Sequence, residues 1–186
     1  MKKILVFIIL WLTSFQIEAQ FVKKKSISAN IGYGLSTPYY GGIDVIDSGL
    51  YLQGEFVLVI ATWLDLRPYS GLILTKSNGK DINQNPTPYK ATSRAFLIGG
   101  KARIKAPIPW IAPFAEIGIG SSIGNFETLS ELSNITKSGI IYHIPFSLGL
   151  ELGRDHNFEV GLTYYFQPTI EQYAGAFAIG LSIPLK

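Results

Sequence analysis

From Ser26 to Leu185 the chain repeats one pattern eight times, with apolar residues at every second position and polar or small residues between them. A period of two is the signature of a β-strand, whose successive side chains leave opposite faces. In the first segment Ile27, Ala29, Ile31, Tyr33 and Leu35 share one face, and Ser26, Ser28, Asn30 and Gly32 the other. Leu50, Leu52, Phe56, Leu58 and Ile60 then alternate with Tyr51, Gln53 and Glu55, and Leu64, Leu66, Leu72 and Leu74 with Asp65, Arg67, Tyr69 and Thr75. Phe96, Ile98, Ala102 and Ile104 oppose Gly99, Lys101 and Arg103; Ile111, Ala115, Ile117 and Ile119 oppose Phe114, Glu116, Gly118 and Gly120. The sixth segment sets Ile140, Tyr142, Ile144, Phe146, Leu148, Leu150 and Leu152 against His143, Ser147, Gly149 and Glu151. The seventh sets Phe158, Val160, Leu162, Tyr164 and Phe166 against Glu159, Gly161, Thr163 and Tyr165, and the eighth Phe177, Ile179, Leu181, Ile183 and Leu185 against Ala176, Ala178, Gly180 and Ser182.

The connections alternate in length. Joins near Ala61 and Thr62, Pro107 to Pro109, and Arg154 to Asn157 are tight, whereas Ser36 to Ser48, Lys76 to Ser93, Ser122 to Ser138 and Gln167 to Tyr173 are longer and mostly polar. Short turns on one side and long loops on the other, with an even strand count, predict an all-β, eight-stranded antiparallel up-and-down barrel of the outer-membrane kind, both termini in the periplasm.

The N-terminus fits export. Lys2 and Lys3 precede a nine-residue apolar run, Ile4 to Leu12, and a more polar stretch ending on the small residue Ala19, so residues 1–19 read as a cleavable signal peptide and 20–186 as the barrel domain. The run is too short for the roughly 20 apolar residues of a spanning helix, and no later segment offers 18. Without Lys2, Lys3 and Glu18, 14 basic and 12 acidic residues remain, a net +2 with no basic stripe, which sets nucleic acid aside. With no cysteine, disulfides, thiolate metal sites and a lipid-modified N-terminal cysteine are excluded.

A period of two suits a soluble barrel, oily inside, or a membrane barrel, oily outside. The faces discriminate. The oily face carries no charge in its central part, while the other mixes a few charges with many Gly, Ala and Ser, the small residues that the crowded interior of an eight-stranded barrel needs. Trp63 and Trp110 sit beside short turns, and Tyr33, Tyr142, Tyr164 and Phe166 at the opposite strand ends, the positions of two interfacial aromatic girdles. In this pattern, and in stretches such as Trp63-Leu-Asp-Leu-Arg-Pro-Tyr69, the sequence resembles the small eight-stranded outer-membrane barrels of the OmpA-barrel and OmpX type. The resemblance implies the outer membrane of a Gram-negative cell, its lipid and its barrel-assembly machinery as surroundings. Such barrels commonly end on an aromatic residue read by that machinery; this chain instead ends Ile183-Pro-Leu-Lys186, and Phe177 with the apolar last strand keeps most of that character.

The interior face should hold Glu55, Asp65, Arg67, Lys101, Arg103, Glu116, Glu151 and Glu159, three basic against five acidic. A two-residue hairpin at Ile108-Pro109 would set Lys101 opposite Glu116, and a three-residue loop centred on Ala61 would set Glu55 opposite Arg67. Glu151 and Glu159 would face each other and need Arg103, Arg154 or water between them. Buried charges without partners are costly, so a paired network plugging the lumen is expected. A narrow pore or small-ligand transport barrel is the alternative.

Catalysis has little to stand on. His143 and Ser147 share a face, but four residues along a strand is about 13 Å, too far for a base to reach its nucleophile. The serine and histidine spacing of the outer-membrane lipid A deacylases is lacking, and His156 lies in a turn with Asp155 and Asn157. No enzyme activity, cofactor or metal is expected: two distant histidines make no ligand set, Asp81 to Asn85 reads as a polar loop, and the Asn134-Ile-Thr136 triplet carries little force. An extracellular partner would be met by the long loops, with Tyr39, Tyr40, Asn85, Pro86, Phe126 and Leu132 on the outward surface.

Overall fold

The structure, a computed structural model, describes residues 22–40 and 45–185. The expected signal peptide, residues 1–19, and the final Lys186 lie outside the described residues. Eight antiparallel strands form a closed barrel in which each pairs with its chain neighbours and the last with the first. They are β1 (Lys24–Pro38), β2 (Asp47–Ala61), β3 (Leu64–Lys76), β4 (Lys90–Lys105), β5 (Trp110–Leu129), β6 (Asn134–Gly153), β7 (Phe158–Gln167) and β8 (Gln172–Leu185). Closure leaves no sheet edge along the shared part of the wall, which is what lets a sheet stand in lipid. The only helical piece among the described residues is a 3-10 turn, Pro168–Ile170, between β7 and β8.

Alternation decides which side of the wall each residue takes. Ile31, Leu50, Leu72, Phe96, Ile119, Leu148, Leu162 and Ile179 all face out and are exposed, whereas Tyr51, Arg67, Lys101, Glu116, Ser147 and Tyr165 face in and are buried. The barrel is thus oily outside and polar inside, an inversion of a soluble protein's arrangement that only a lipid surrounding stabilises.

The long connections are shorter than the sequence indicated. Ser122 to Ser138 is mostly strand: β5 runs to Leu129, β6 starts at Asn134, and Ser130 to Ser133 make the turn, where Ser133 donates its N–H to the Ser130 hydroxyl at 3.1 Å. Beyond the apolar belt the wall stands in water and its outward positions turn polar, as at Asn125, Glu127 and Thr136, so a polar strand looks like a loop in sequence. Phe126 accordingly is not on the outward surface but inside the barrel, 1% exposed, while Leu132 at the hairpin tip is 75% exposed. Asp81 to Asn85 is a closed polar turn in which the Asp81 carboxylate accepts the Asn85 backbone N–H at 2.8 Å and its side-chain amide at 3.2 Å.

Two registers differ from expectation. Arg103, not Lys101, lies opposite Glu116, and Lys101 lies opposite Gly118. The connection around Ile108-Pro109 holds two prolines, which lack the N–H groups a two-residue hairpin uses, and the pairing ends at Lys105 with Phe114 instead. Glu55 faces Tyr69 rather than Arg67, because the turn is Thr62-Trp63 and a bulge between Val59 and Ala61 shifts the register. Glu151 does face Glu159.

Candidate functional site in the barrel lumen

The inward residues of β2 to β7 at the turn end of the barrel converge on one cluster of ion pairs. Arg67 reaches from β3 into its centre. Its Nη1 lies 2.9 Å from Glu55 and 3.2 Å from Glu159, its Nη2 2.9 Å from Glu151 and 3.5 Å from Asp65, and its Nε 3.8 Å from Glu116. One planar guanidinium therefore bonds four carboxylates and lies near the fifth, a task its fork of donors suits and a lysine ammonium does not. Arg103 sets Nε 2.6 Å from Glu116 and Nη1 2.8 Å from both Glu151 and Glu159, so it stands between the two carboxylates that face each other. Arg67 is the second bridge between those carboxylates; Arg154 makes no ion pair among the described residues. Lys101 spans Glu55 at 2.6 Å and Glu116 at 2.7 Å. The two registers that differ from expectation thus still leave Lys101 with Glu116 and Arg67 with Glu55, on the diagonal of the sheet rather than directly across it.

Lys105 belongs to the same cluster, 2.9 Å from Asp65 and 3.2 Å from Glu151. Sequence reasoning stopped one inward position short of it, although Lys101, Arg103 and Lys105 share one face of β4. With it the cluster holds four basic and five acidic side chains. Apart from Lys105 at the turn-end mouth, all are buried. The Arg103 guanidinium also lies over the Phe114 ring, 3.5 Å from its centre, and that ring occupies space where Gly149 has no side chain, a Cβ there coming within 2.5 Å of it. The cavity left between Asn30, Gln53, Lys101 and Thr163 has ≈ 20 Å³ for solvent, room for about one water.

A second tier, toward the loop end, was not evident in the sequence. Glu55 accepts the Gln53 amide N–H at 2.6 Å, Gln53 accepts the Tyr165 hydroxyl at 2.6 Å, and Tyr165 and Tyr51 share a hydrogen bond at 2.9 Å. His143 is bonded at both ring nitrogens, with Tyr69 at 2.5 Å and Ser122 at 2.7 Å. Ser147 bonds instead to Thr163 at 3.0 Å. Above this belt Ile73, Leu97, Phe126, Ile141 and Ile170 form an apolar plug, with Ile170 carried in by the 3-10 turn, whose carbonyl accepts the Thr128 hydroxyl at 2.8 Å. Ile73 and Ile141 each lie between outward apolar neighbours, which hides an inward isoleucine from a reading of alternation. Glycine in the wall gives the ring pair its space: a Cβ on Gly120 would stand 2.4 Å from the Tyr69 hydroxyl and 2.5 Å from His143.

On the outer surface Trp63 and Trp110 are exposed at the turn end, and Tyr33, Tyr142, Tyr164 and Phe166 toward the loop end. No cluster of His, Asp or Glu suited to a metal occurs among the described residues.

No protein-family model matches the sequence and no curated protein matches it. Among solved structures, Neisserial surface protein A is similar at 11% identity and a TM-score of 0.60, over 87% of this chain and 97% of that one. Ail, the attachment invasion locus protein of Yersinia pestis, is similar at 11% identity and a TM-score of 0.49, over 86% of this chain and 99% of that one. The N-terminal β-barrel domain of Pseudomonas aeruginosa OprF is similar at 11% identity and a TM-score of 0.47, over 84% of this chain and 97% of that one. With its closed eight-stranded wall, oily exterior and likeness to the Neisserial protein, the chain has the fold of the small outer-membrane β-barrels.

Proposed function

We propose that the protein is a non-conducting scaffold of the outer membrane, a barrel locked by its lumenal charges that presents its loop end as a surface for an extracellular partner. The observation that carries this reading is the pair of seals in series, the nine-residue ion cluster at the turn end and the apolar plug at the loop end, with ≈ 20 Å³ of space in the charged half. A pore needs a continuous aqueous path, and neither tier supplies one. The loop end is the part of such a scaffold free to vary without disturbing the wall.

Catalysis finds no support in the positions of the candidate residues. His143 and Ser122 are in contact but completely buried, their polar atoms spent on each other, Tyr69 and Gln167. Single-channel recording of the folded protein in planar bilayers tests the reading. No conductance steps are expected from wild type; regular steps at physiological salt would overturn the scaffold in favour of a narrow pore. Lipid A from cells with and without the protein is expected to show the same acylation pattern by mass spectrometry.

A further inference from the structure

The outward face of the wall changes character around the loop end. On β1, β6, β7 and β8 the loop-end part of the apolar belt carries exposed tyrosines, Tyr33, Tyr142, Tyr164 and Tyr173. On β3 and β4 the belt ends at cations. β3 runs outward through Leu72 and Leu74 to Lys76, and β4 through Ile98 and Phe96 to Arg94, so each strand places a basic side chain at the first outward position past its last apolar one. Leu74 lies directly opposite Arg94. That register makes Lys76 and Arg94 diagonal neighbours on the same face, roughly 7 Å apart at their backbones and able to converge on one group. Asn125 of β5, directly opposite Arg94 on its other side, adds an amide to the row. Among the described residues neither Lys76 nor Arg94 forms an ion pair, although the next cation along, Lys90, is held 2.6 Å from Glu127.

We propose that Lys76 and Arg94 form a binding site for the phosphate of a membrane lipid in the leaflet facing the loop end, with its acyl chains against Leu72, Leu74, Phe96 and Ile98. This rests on the reading of the barrel as membrane-embedded. Two observations select a lipid as the occupant. The site continues without a break into the apolar belt, and its charge is opposite to that of a lipid phosphate. A guanidinium offers paired donors to phosphate oxygens and the lysine a mobile point charge, a combination matched to a doubly charged phosphate. The tyrosines on the other half of the barrel offer anchoring without charge, so phosphate lipid should gather on the β3 and β4 side alone.

Native mass spectrometry of the folded barrel in detergent, with diphosphoryl lipid A as probe and its dephosphorylated form as comparison, tests the site. Wild type should retain the phosphorylated form preferentially, and Lys76→Gln with Arg94→Gln should weaken retention roughly thirtyfold, two cations' worth of surface attraction. Lys137→Gln, a cation on β6 away from the row, should leave it unchanged. Equal retention by wild type and the double variant, or of both lipid forms by wild type, overturns the proposal. Because both substitutions lie on the outer surface, the heat-dependent gel-mobility shift of a folded barrel should be intact in the double variant. Loss of that shift in wild type would instead strike at the membrane reading itself.

Discussion

Single residues in this wall act through the space they leave as much as through the contacts they make. Gly120 is the clearest case: a methyl group there would meet the Tyr69 hydroxyl, His143 Nε2 and the Ile98 carbonyl, at 2.4, 2.5 and 2.6 Å. The carbonyl belongs to the barrel wall and cannot move aside without breaking register. Gly120→Ala is therefore expected to lower the urea midpoint of the barrel folded in vesicles, by about 1–3 kcal/mol of overpacking. Gly100, an outward position with nothing within 4 Å of its would-be Cβ, should accept alanine without loss. Charge shows the converse dependence. Arg67→Leu keeps the bulk but strips Glu55, Glu151 and Glu159 of a shared partner, and should cost about 3–5 kcal/mol in the same titration, the penalty of uncompensated buried charge. Equal midpoints for Arg67→Leu and wild type would mean that the lumen is hydrated rather than locked. The eight charges legible in the sequence were found because inward parity alone places them; Lys105 has the same parity and differs only in lying at the strand's last residue. The His143 partners were not legible: Tyr69 reaches it across the lumen from β3, and Ser122 meets it on the diagonal of the β5 and β6 register, and periodicity along one strand records neither.

At the level of the strand, alternation states which way a residue points but not what surrounds it, and the medium changes along each strand. Within the lipid belt the outward residues are apolar; past it they turn polar while inward positions become apolar, as at Phe126 and Ile135. This reversal turned the upper halves of β5 and β6 into an apparent loop. Register was equally hidden, because one bulge after Val59 and two prolines beside Ile108 shift pairings that hydrophobicity leaves free. The belt itself can be probed. Ile119 of β5 is 69% exposed on the outer face between Ile117 and Ser121, so Ile119→Arg should destabilise the folded barrel by about 2–4 kcal/mol, as charge does near the bilayer midplane, whereas Asn125→Arg, above the belt on the same strand, should cost about 1 kcal/mol or less. Similar costs for both would place the belt elsewhere on the wall. The taller strands carry a second consequence. β6 pairs with β5 up to Asn134 but with β7 only from Ile144 onward, since β7 ends at Gln167. Amides of residues 134–143 that point toward β7 are expected to exchange with deuterium much faster than those of 144–152, which have partners on both sides.

On the proposed reading the molecule as a whole closes its lumen twice, by means that fail under different conditions. The turn-end tier is electrostatic: four cations and five carboxylates that compete for water if one sign is removed. The loop-end tier is apolar at its centre, held by Ile73, Leu97, Phe126 and Ile170, and draws on none of the nine charges below; the buried Asp47 carboxylate nearby accepts the Ala91 backbone N–H at 2.7 Å. Barriers in series are opened only together. Arg67→Ala with Arg103→Ala would leave five carboxylates facing Lys101 and Lys105 alone, drawing water and small cations into the turn-end half, yet the apolar plug above should still keep the barrel silent. Leu97→Ala with Ile170→Ala would thin the plug while the ion cluster below stays paired, and should be silent as well. Only the combination of all four substitutions is expected to give conductance steps, and these should be selective for cations because the exposed lumenal charge is negative. Current recorded with each pair separately and then with all four distinguishes this arrangement from a single gate. Steps from the arginine pair alone would show that the charges are the whole of the closure and the apolar tier only packing, while silence of the quadruple variant that still shows the heat-dependent gel shift would show that the wall's own side chains fill the lumen without either tier.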